Sequence, residues 1–313
     1  MDSLEVERGL GLWQETEGGR ATLINLSENH TFRIDRPGAA RHILRVHRPG
    51  YQSTAAIASE LDWVSALRND TDLPVPRPLV GRDGEFVQRI GPDRVAVLFV
   101  FEQGREPVPG DDLAPLFRTI GRFSATAHRH VQGWNRPSSF TRPLWTAESI
   151  LDPGGLWGDW RKAPHVEGAT RAALDRLDGR LREVLAAYGT SADRYGLVHA
   201  DMRLANLLVA GDEVMLIDFD DCGFCWFMYD LAASLSFIET SEEVPALRQS
   251  WIDGYTTVRP LSADDLQVID AMILLRRMAL LAWIGSHAET TLAAQHRDHF
   301  ASETARLSAA LLG

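Results

Sequence analysis

Side chains of the kinds used in catalysis are concentrated in residues 197–221, LVHADMRLANLLVAGDEVMLIDFDD. Carboxylate, amide, imidazole and guanidinium groups stand there beside short apolar runs, where removing a charge from water is costly. A carboxylate can accept the proton of a hydroxyl group, and carboxylate and amide oxygens are ligands that Mg²⁺ prefers. The segment therefore predicts a centre that holds a metal–nucleotide complex and activates a hydroxyl group.

Within this segment, NLLVA, GD and EVMLIDF predict a β-hairpin with a Gly-Asp turn. Pairing Ala210 with Glu213 across the turn sets a register in which Asn206 lies opposite Ile217. Asn206 and Asp218 then meet at the open end of the hairpin, roughly 5–8 Å apart at Cβ. A hard cation can bridge two such oxygen ligands.

Asp201 lies five positions before Asn206, on the loop that leads into the same end of the hairpin. The order Asp201, Asn206, Asp218 matches the arrangement used in phosphoryl transfer, where one carboxylate faces the attacking hydroxyl and the other two side chains bind metal ions. The alternative is local: Asp201 caps a turn and Asn206 closes an Asx turn. That alternative does not explain why Asp218 stands next to an apolar run.

The elements that must position these residues begin with a β-rich region. ATLINL, HTFRI and RHILRV predict three antiparallel strands, and STAAIASELDWVSALRND predicts a helix capped by Ser53 or Thr54. EFVQRI and RVAVLFVF predict two further strands. Residues 1–102 are therefore expected to form an N-terminal lobe with an antiparallel sheet and one helix.

Helical periodicity dominates after residue 110. LAPLFRTIGRFSATAHRHV and ATRAALDRLDGRLREVLAAYG both repeat apolar residues at helical spacing, the second ending at Gly189. Residues 103–313 are expected to form a larger, mostly helical C-terminal lobe. The predicted fold class is α+β with two lobes.

Composition limits the function classes. Asp and Glu outnumber Lys and Arg by 43 to 32, and the formal charge of −11 disfavours a nucleic-acid binder. AMILLRRMALLAWIG is too short to span a bilayer, and the N-terminus lacks a signal-peptide pattern, so we expect a cytoplasmic protein without a membrane partner. Cys222 and Cys225 have the spacing of a redox pair or half a zinc site, but two ordinary thiols are expected.

LVHADMRLANLLV, LIDFDD and YDLA resemble the aminoglycoside phosphotransferase and choline kinase superfamily. LSENHTFRI and HILRVHRPGY resemble the nucleotide loop and third strand of its branch with type II homoserine kinases and bacterial stress-response kinases. The resemblance covers about residues 20 to 285. It implies a protein-kinase-like fold and phosphorylation of small molecules.

The resemblance also implies roles within residues 197–221. Asp201 is expected to be the catalytic base, and Asn206 and Asp218 to bind Mg²⁺. Arg203 holds the place of a residue that approaches the γ-phosphate in protein kinases. Ala200 stands where the small-molecule kinases usually have Gly.

In the N-terminal lobe, Arg45 occupies the position of the phosphate-binding lysine, with Glu60 as its ion-pair partner. Strand alternation places Ile43 on the same face as Arg45, where an apolar side chain suits adenine. Because LSENHTF lacks the glycines of a protein-kinase phosphate loop, Ser27 and Asn29 with backbone N–H groups are expected to cradle the phosphates.

The resemblance places the nucleotide in a cleft, with VFEQG, which contains Phe101 and Glu102, as the hinge. The expected activity is ATP- and Mg²⁺-dependent transfer of the γ-phosphate to a hydroxyl of an aminoglycoside, an amino alcohol or a homoserine-like acceptor. The alternatives are a protein Ser/Thr kinase of the stress-response type and an inactive nucleotide-binding module. The sequence leaves the oligomeric state open.

Several residues keep two interpretations. Asp220 and Asp221 could bind a second ion or a cationic substrate, or be solvated or paired with Arg. Arg276 and Arg277, in an otherwise apolar helix, favour a salt bridge within the lobe, with an acidic substrate or Asp220 as the other possible partner. Asp230 is expected to anchor the start of a helix and the catalytic loop.

Overall fold

The computed structural model describes residues 3–26, 29–108 and 110–312. In chain order its helices are α1 (Ser3–Leu10), α2 (Thr54–Asp70), α3 (Leu113–Gly133), α4 (Ala147–Leu151), α5 (Gly168–Tyr188), α6 (Tyr229–Ser234), α7 (Val244–Thr256), α8 (Ala263–Ser286), α9 (Thr291–His296) and α10 (Phe300–Leu312). The strands are β1 (Arg20–Leu26), β2 (His30–Asp35), β3 (His42–Val46), β4 (Pro78–Leu79), β5 (Gln88–Arg89), β6 (Val95–Val100), β7 (Tyr195–Val198), β8 (Leu207–Ala210), β9 (Glu213–Leu216) and β10 (Gly223–Trp226).

The chain forms two compact units. Unit 1 comprises residues 1–106, 135–142 and 207–220, and unit 2 comprises residues 107–134, 143–206 and 221–313. Unit 1 holds an antiparallel sheet, and unit 2 is mainly helical, so the predicted α+β fold class is confirmed. A domain boundary between residues 102 and 103 stays a prediction.

The sheet of unit 1 has the order β1-β2-β3-β6-β4, with β5 also paired to β6. Within the described residues, the paired strands of this sheet are antiparallel, as predicted for the first three strands. The helix after them begins at the predicted cap, because the Ser53 side chain accepts a hydrogen bond from the backbone N–H of Ala56. Of the predicted strand EFVQRI, only Gln88–Arg89 is paired.

Alternation along β3 divides the core of unit 1 between the two faces of the sheet. Leu44 and Val46 belong to an apolar cluster that includes residues of α1. Ile43 packs against a second cluster, which includes residues of α2. The short helix α1, which the sequence patterns did not predict, thus covers the face of the sheet opposite α2.

The predicted hairpin is β8 and β9, in unit 1. Ala210 pairs with Glu213 and Leu207 with Leu216, the register expected from the sequence. Gly211 has φ of 61°, a left-handed conformation that glycine adopts without strain and that a tight hairpin turn needs. Asn206 therefore directly precedes the first paired residue, and Asp218 follows the last by two positions.

In unit 2, α3 and α7 approach closely through glycine. A Cβ atom at Gly254 would lie 1.8 Å from the carbonyl oxygen of Arg118, and one at Gly121 would lie 2.1 Å from that of Trp251. Only glycine fits such a backbone approach. This packing holds α3 in place, and α3 carries a histidine that contacts the candidate active site.

Strands β7 and β10 pair antiparallel in unit 2, with Gly223 opposite Val198. The strand β10, which contains the second cysteine of CGFC, was not predicted. Cys222 and Cys225 are both fully buried, and neither forms a disulfide. Within the described residues, no three His, Cys, Asp or Glu side chains are grouped in a way that could hold a metal ion.

None of the helices in the described part of the chain combines the length and the apolar character needed to cross a bilayer.

Candidate active site

The loop that carries Asp201 follows β7 and is fixed by Asp230 at the start of α6. Asp230 Oδ1 accepts a hydrogen bond from Ala200 N at 2.8 Å, and Oδ2 accepts one from His199 N at 3.3 Å. Ala200 has φ of 66°, a left-handed conformation that costs a non-glycine residue energy unless its neighbours hold it. The two hydrogen bonds from Asp230 hold that conformation, in agreement with the anchoring role expected of it.

His128 on α3 supports the same carboxylate. Its Nε2 lies 2.9 Å from Asp230 Oδ2, and its Nδ1 lies 3.1 Å from the hydroxyl of Tyr255. Burial lowers the pKa of His128 despite the raising effect of Asp230, so the imidazole is neutral near pH 7. A neutral ring donates from one nitrogen and accepts at the other, which matches a carboxylate on one side and a hydroxyl on the other. The sequence patterns did not point to this histidine as part of the site.

Asp201 and Asn206 are in direct contact in unit 2. Asn206 Nδ2 donates to Asp201 Oδ2 at 2.6 Å and to the Asp201 carbonyl oxygen at 2.7 Å. His199 Nδ1 accepts a hydrogen bond from the backbone N–H of Asp201 at 3.2 Å, so the histidine braces the loop. Because the Asn206 amide nitrogen is used by Asp201, its Oδ1 is the side-chain atom suited to a cation.

Two arginines flank the Asp201 carboxylate. Arg203 Nε lies 3.3 Å from Oδ2, and Arg276 Nη2 donates to Oδ1. Burial alone would raise the pKa of Asp201, but the charges of Arg276 and Arg203 outweigh it and lower the pKa below its usual value. Asp201 is therefore a carboxylate at neutral pH, and it keeps a weakly basic character.

Arg45 and Glu60 form a buried ion pair in unit 1, the contact that the resemblance implied. The distance from Arg45 Nη2 to Glu60 Oε1 is 2.6 Å, and Arg45 Nη1 lies 3.3 Å from Asp218 Oδ1. The guanidinium also lies over the ring of Phe99, 5.3 Å from its centroid. Asp218, with φ of 61°, has a side chain that is 49% exposed, in contrast to the buried Arg45 and Glu60.

Asp220 is buried in unit 1 and serves as an acceptor. Its Oδ2 accepts a hydrogen bond from Asn29 Nδ2 at 2.9 Å, and its carbonyl oxygen accepts hydrogen bonds from Arg142 and, at 3.3 Å, from Gln52. Burial alone would raise the pKa of Asp220, but the charges of Arg45 and other nearby cations lower it. These contacts favour the Arg-paired interpretation of Asp220 over the ion-binding one. Nothing in the sequence pointed to Arg142.

The other predicted nucleotide residues are less closely grouped. The Asn29 side chain donates to Asp220 Oδ2 through Nδ2 and accepts a hydrogen bond from Arg48 N at Oδ1, over 3.4 Å. Any role of Asn29 in binding phosphate would therefore fall to its backbone N–H. Ser27 lies outside the described residues. Phe101 follows β6 and packs under Arg41, 5.8 Å from the guanidinium carbon, and Glu102 is half-buried.

The predicted residues thus fall into two groups. Asp201, Arg203 and Asn206 are together in unit 2, and Arg45, Glu60 and Asp218 are together in unit 1. The partner of Arg276 was left open by the sequence. The position of Arg276 in an apolar helix did indicate that it has a buried acidic partner, because a buried arginine needs a buried acid.

Comparison with known proteins identifies relatives of the whole chain. The model of the phosphotransferase enzyme family matches residues 21–266. The solved structure of a microcompartment-associated aminopropanol kinase has 38% sequence identity and a TM-score of 0.90, covering 100% of this chain and 99% of that one. This agreement over the complete chain confirms the fold and the resemblance inferred from the motifs.

Two curated relatives are more distant. Amicoumacin kinase of Bacillus subtilis (strain 168) is 24% identical over 280 residues, covering 82% of this chain and 80% of that protein. Homoserine kinase of Rhizobium etli is 29% identical over 210 residues, covering 63% of this chain and 59% of that protein. The matches to curated relatives span from 59% to 81% of those proteins' own lengths.

Proposed function

We propose that this chain, which belongs to the phosphotransferase enzyme family, transfers the γ-phosphate of ATP to the hydroxyl group of a small amino alcohol. The observation that carries the proposal is the hydrogen bond from Asn206 to Asp201, which joins the two side chains expected to bind a cation and to receive a proton. The identity of 38% to an aminopropanol kinase supports an amino alcohol as acceptor. Homoserine-like and antibiotic acceptors have support from more distant relatives.

In the proposed reaction, Asp201 orients the acceptor hydroxyl. An ionised carboxylate offers about four acceptor positions, and Arg276, Arg203 and Asn206 use three of them, which leaves room for a hydroxyl donor. A base of lowered pKa takes the proton late, when the bond from the acceptor oxygen to phosphorus is already forming. This order suits the loose transition state of phosphoryl transfer, in which positioning and charge stabilisation matter most.

The products follow from the same step. The acceptor oxygen forms a bond to the γ-phosphorus, the bond between that phosphorus and the bridging oxygen of ADP breaks, and the hydroxyl proton passes to Asp201. Arg45 and Arg203 are the cations proposed to bind the phosphate groups. A guanidinium at position 45 allows two parallel hydrogen bonds to a phosphate, which a lysine at that position would not.

The donor atoms fit a hard divalent cation. Asn206 Oδ1 and the Asp218 carboxylate are oxygen ligands, and Mg²⁺ usually takes one or two protein ligands and completes its shell with phosphate and water. Such an ion, when bound, neutralises charge on the phosphates. Asp218 has a half-exposed carboxylate, whereas Asp220 is buried among hydrogen-bond donors, so we assign the ion to Asp218.

The proposal is tested with purified protein, ATP, MgCl₂ and a panel containing 1-amino-2-propanol, ethanolamine, homoserine and an aminoglycoside. Asp201→Asn should lower kcat by about a thousandfold, because removing a catalytic base costs between about 10² and 10⁴. The Kd of a non-hydrolysable ATP analogue should change by less than about threefold. Asp212→Asn, in the exposed hairpin turn, is the control and should keep full activity.

The rival functions give different results in the same assay. A protein kinase of the stress-response type would label proteins of a cell extract and no member of the panel. An inactive nucleotide-binding module would bind the analogue without phosphate transfer to either. Full turnover by Asp201→Asn would refute the assignment of the base. A cytoplasmic location stays a prediction.

A further inference from the structure

Arg276 on α8 contacts the Asp201 loop with its whole head group. The side chain is 1% exposed, and each of its three guanidinium nitrogens donates a hydrogen bond. Nε donates to Ser236 Oγ at 2.9 Å, Nη1 to the carbonyl oxygen of Ala200 at 3.1 Å, and Nη2 to Asp201 Oδ1. The ring of Trp157 lies beside the guanidinium, 4.9 Å from its central carbon.

We infer that Arg276 is a positioning residue that holds the Asp201 carboxylate in one orientation and compensates its charge while Arg203 is bound to phosphate. The inference rests on the proposed function, in which Asp201 is the base. Arg276 binds the backbone of one residue and the side chain of the next, so it fixes the side chain relative to the loop.

The two arginines at Asp201 differ in their freedom to move. The Arg203 side chain is 27% exposed and makes one long hydrogen bond to the carboxylate, so it can leave Asp201 for a phosphate at small cost. Arg276 is enclosed and has three acceptors. If Arg203 alone balanced Asp201, its departure would leave a buried carboxylate without a counter-charge, which is unfavourable. A second, fixed cation removes that difficulty.

The neighbouring Arg277 is a buried arginine on the same helix whose contacts are purely structural. It is also 1% exposed, but it donates to Glu239 Oε2 at 2.8 Å and to Thr304 Oγ1 at 2.9 Å. It also donates to the carbonyl oxygen of Phe300 at 3.2 Å and to Glu303 Oε2 at 3.3 Å, and none of these partners belongs to the Asp201 loop. Arg277 is therefore a matched control for burial, charge and position on α8.

The experiment compares Arg276→Lys, Arg276→Met, Arg277→Lys and Arg277→Met with the unsubstituted protein, using the amino alcohol that gives the highest turnover. We expect Arg276→Met to lower kcat by about a hundredfold, because small misplacement of a catalytic group can cost that much. The KM for ATP and the KM for the amino alcohol should each stay within about threefold of those of the unsubstituted protein. Arg276→Lys should recover part of the lost kcat. Each Arg277 variant should keep kcat per folded molecule within about threefold, whatever its loss of thermal stability.

A double variant adds a second readout. In the Asp201→Asn background, Arg276→Met should reduce kcat by less than about threefold more, because there is no longer a base to position. Independent, multiplied effects would overturn the inference, as would a change in acceptor KM alone or equal losses in the Arg276 and Arg277 variants. If Arg276→Met does not fold, the comparison of Arg276→Lys with Arg277→Lys decides in the same way.

The outcomes separate the inference from the proposed function. A protein that phosphorylates nothing in the panel, or an active Asp201→Asn variant, would overturn both. An active protein with an inactive Asp201→Asn variant and fully active Arg276 variants would overturn the inference and leave the proposed function standing.

Discussion

Arg45 Nη2 and Glu60 Oε1 lie 2.6 Å apart, and both side chains are buried in unit 1. Strand β3 supplies the arginine and helix α2 supplies the glutamate. Burial raises the pKa of Glu60, and the charge of Arg45 opposes that rise. The pair fixes a guanidinium beside Asp218, the residue proposed to bind the divalent ion.

We predict that Glu60→Gln lowers the free energy of unfolding by about 3–5 kcal/mol, because the buried Arg45 loses its nearest and most deeply buried charge partner and keeps only the longer contact with the half-exposed Asp218. The double variant Glu60→Gln/Arg45→Met should lose less than the sum of the two single variants, since neither charge is then left alone. Urea denaturation of the four proteins measures these values. Additive losses would contradict an energetic coupling between the two side chains.

Asp218 combines a left-handed backbone with a proposed role at the cation. Asp218→Asn keeps a residue type that tolerates positive φ, whereas Asp218→Ala does not, so only the first isolates the effect of charge. We predict that Asp218→Asn raises the Mg²⁺ concentration for half-maximal activity by at least about tenfold, because second-shell and ligand changes typically cost 10–100-fold.

Removal of divalent ions with EDTA should abolish transfer in the unsubstituted protein and leave its thermal unfolding midpoint in place, because the hydrogen bonds of the Asp201 loop are made within the protein. Titration with MgCl₂ should restore activity. Asp212→Asn, in the exposed turn of the same hairpin, serves as the control. A Mg²⁺ dependence unchanged by Asp218→Asn would contradict the assignment.

The buried His47 should make the free energy of unfolding sensitive to acid. Burial and the charge of Arg45 lower its pKa from 6.5 to about 3, and within the described residues neither ring nitrogen has a hydrogen-bond partner. The unfolded chain takes up the proton near pH 6.5, so between pH 6.5 and about pH 3 the unfolded state binds more protons than the folded one. The free energy of unfolding therefore falls as the pH is lowered through this range.

From pH 8 to pH 5 this histidine should account for a loss of about 2 kcal/mol. His47→Gln should remove that part of the pH dependence, measured by urea denaturation at several pH values. Other histidines of lowered pKa will leave a residual slope in both proteins, so the difference between the two slopes is the quantity to compare. Identical slopes would contradict a neutral buried His47.

Local patterns were sufficient where one short stretch determines the structure. The Gly-Asp turn and its flanking apolar residues set the register of β8 and β9, and alternation along β3 set the face of Arg45. Both depend on residues within a few positions of one another. The positions of Asp201 and Asn206 were predictable for the same reason, because they lie on one loop.

Contacts between distant parts of the chain were not predictable in this way. Arg276 and Asp201 are 75 positions apart, and His128 and Asp230 are 102 apart. A single sequence shows that such buried charges need partners, but several acids could serve. Strand β10 was not predicted because its four residues are recognisable as a strand only through their pairing with β7. Helix α1 was not predicted because eight residues give only a weak helical pattern.

The two cysteines give the molecule a built-in reporter of local opening. Both thiols are fully shielded, and burial raises the pKa of Cys225, so an alkylating reagent cannot reach them in the closed state. Labelling must then wait for separation of the ribbon formed by β7 and β10, from which the Asp201 loop emerges. The rate of thiol modification, with and without nucleotide, would therefore report how often β7 and β10 separate in the unsubstituted chain.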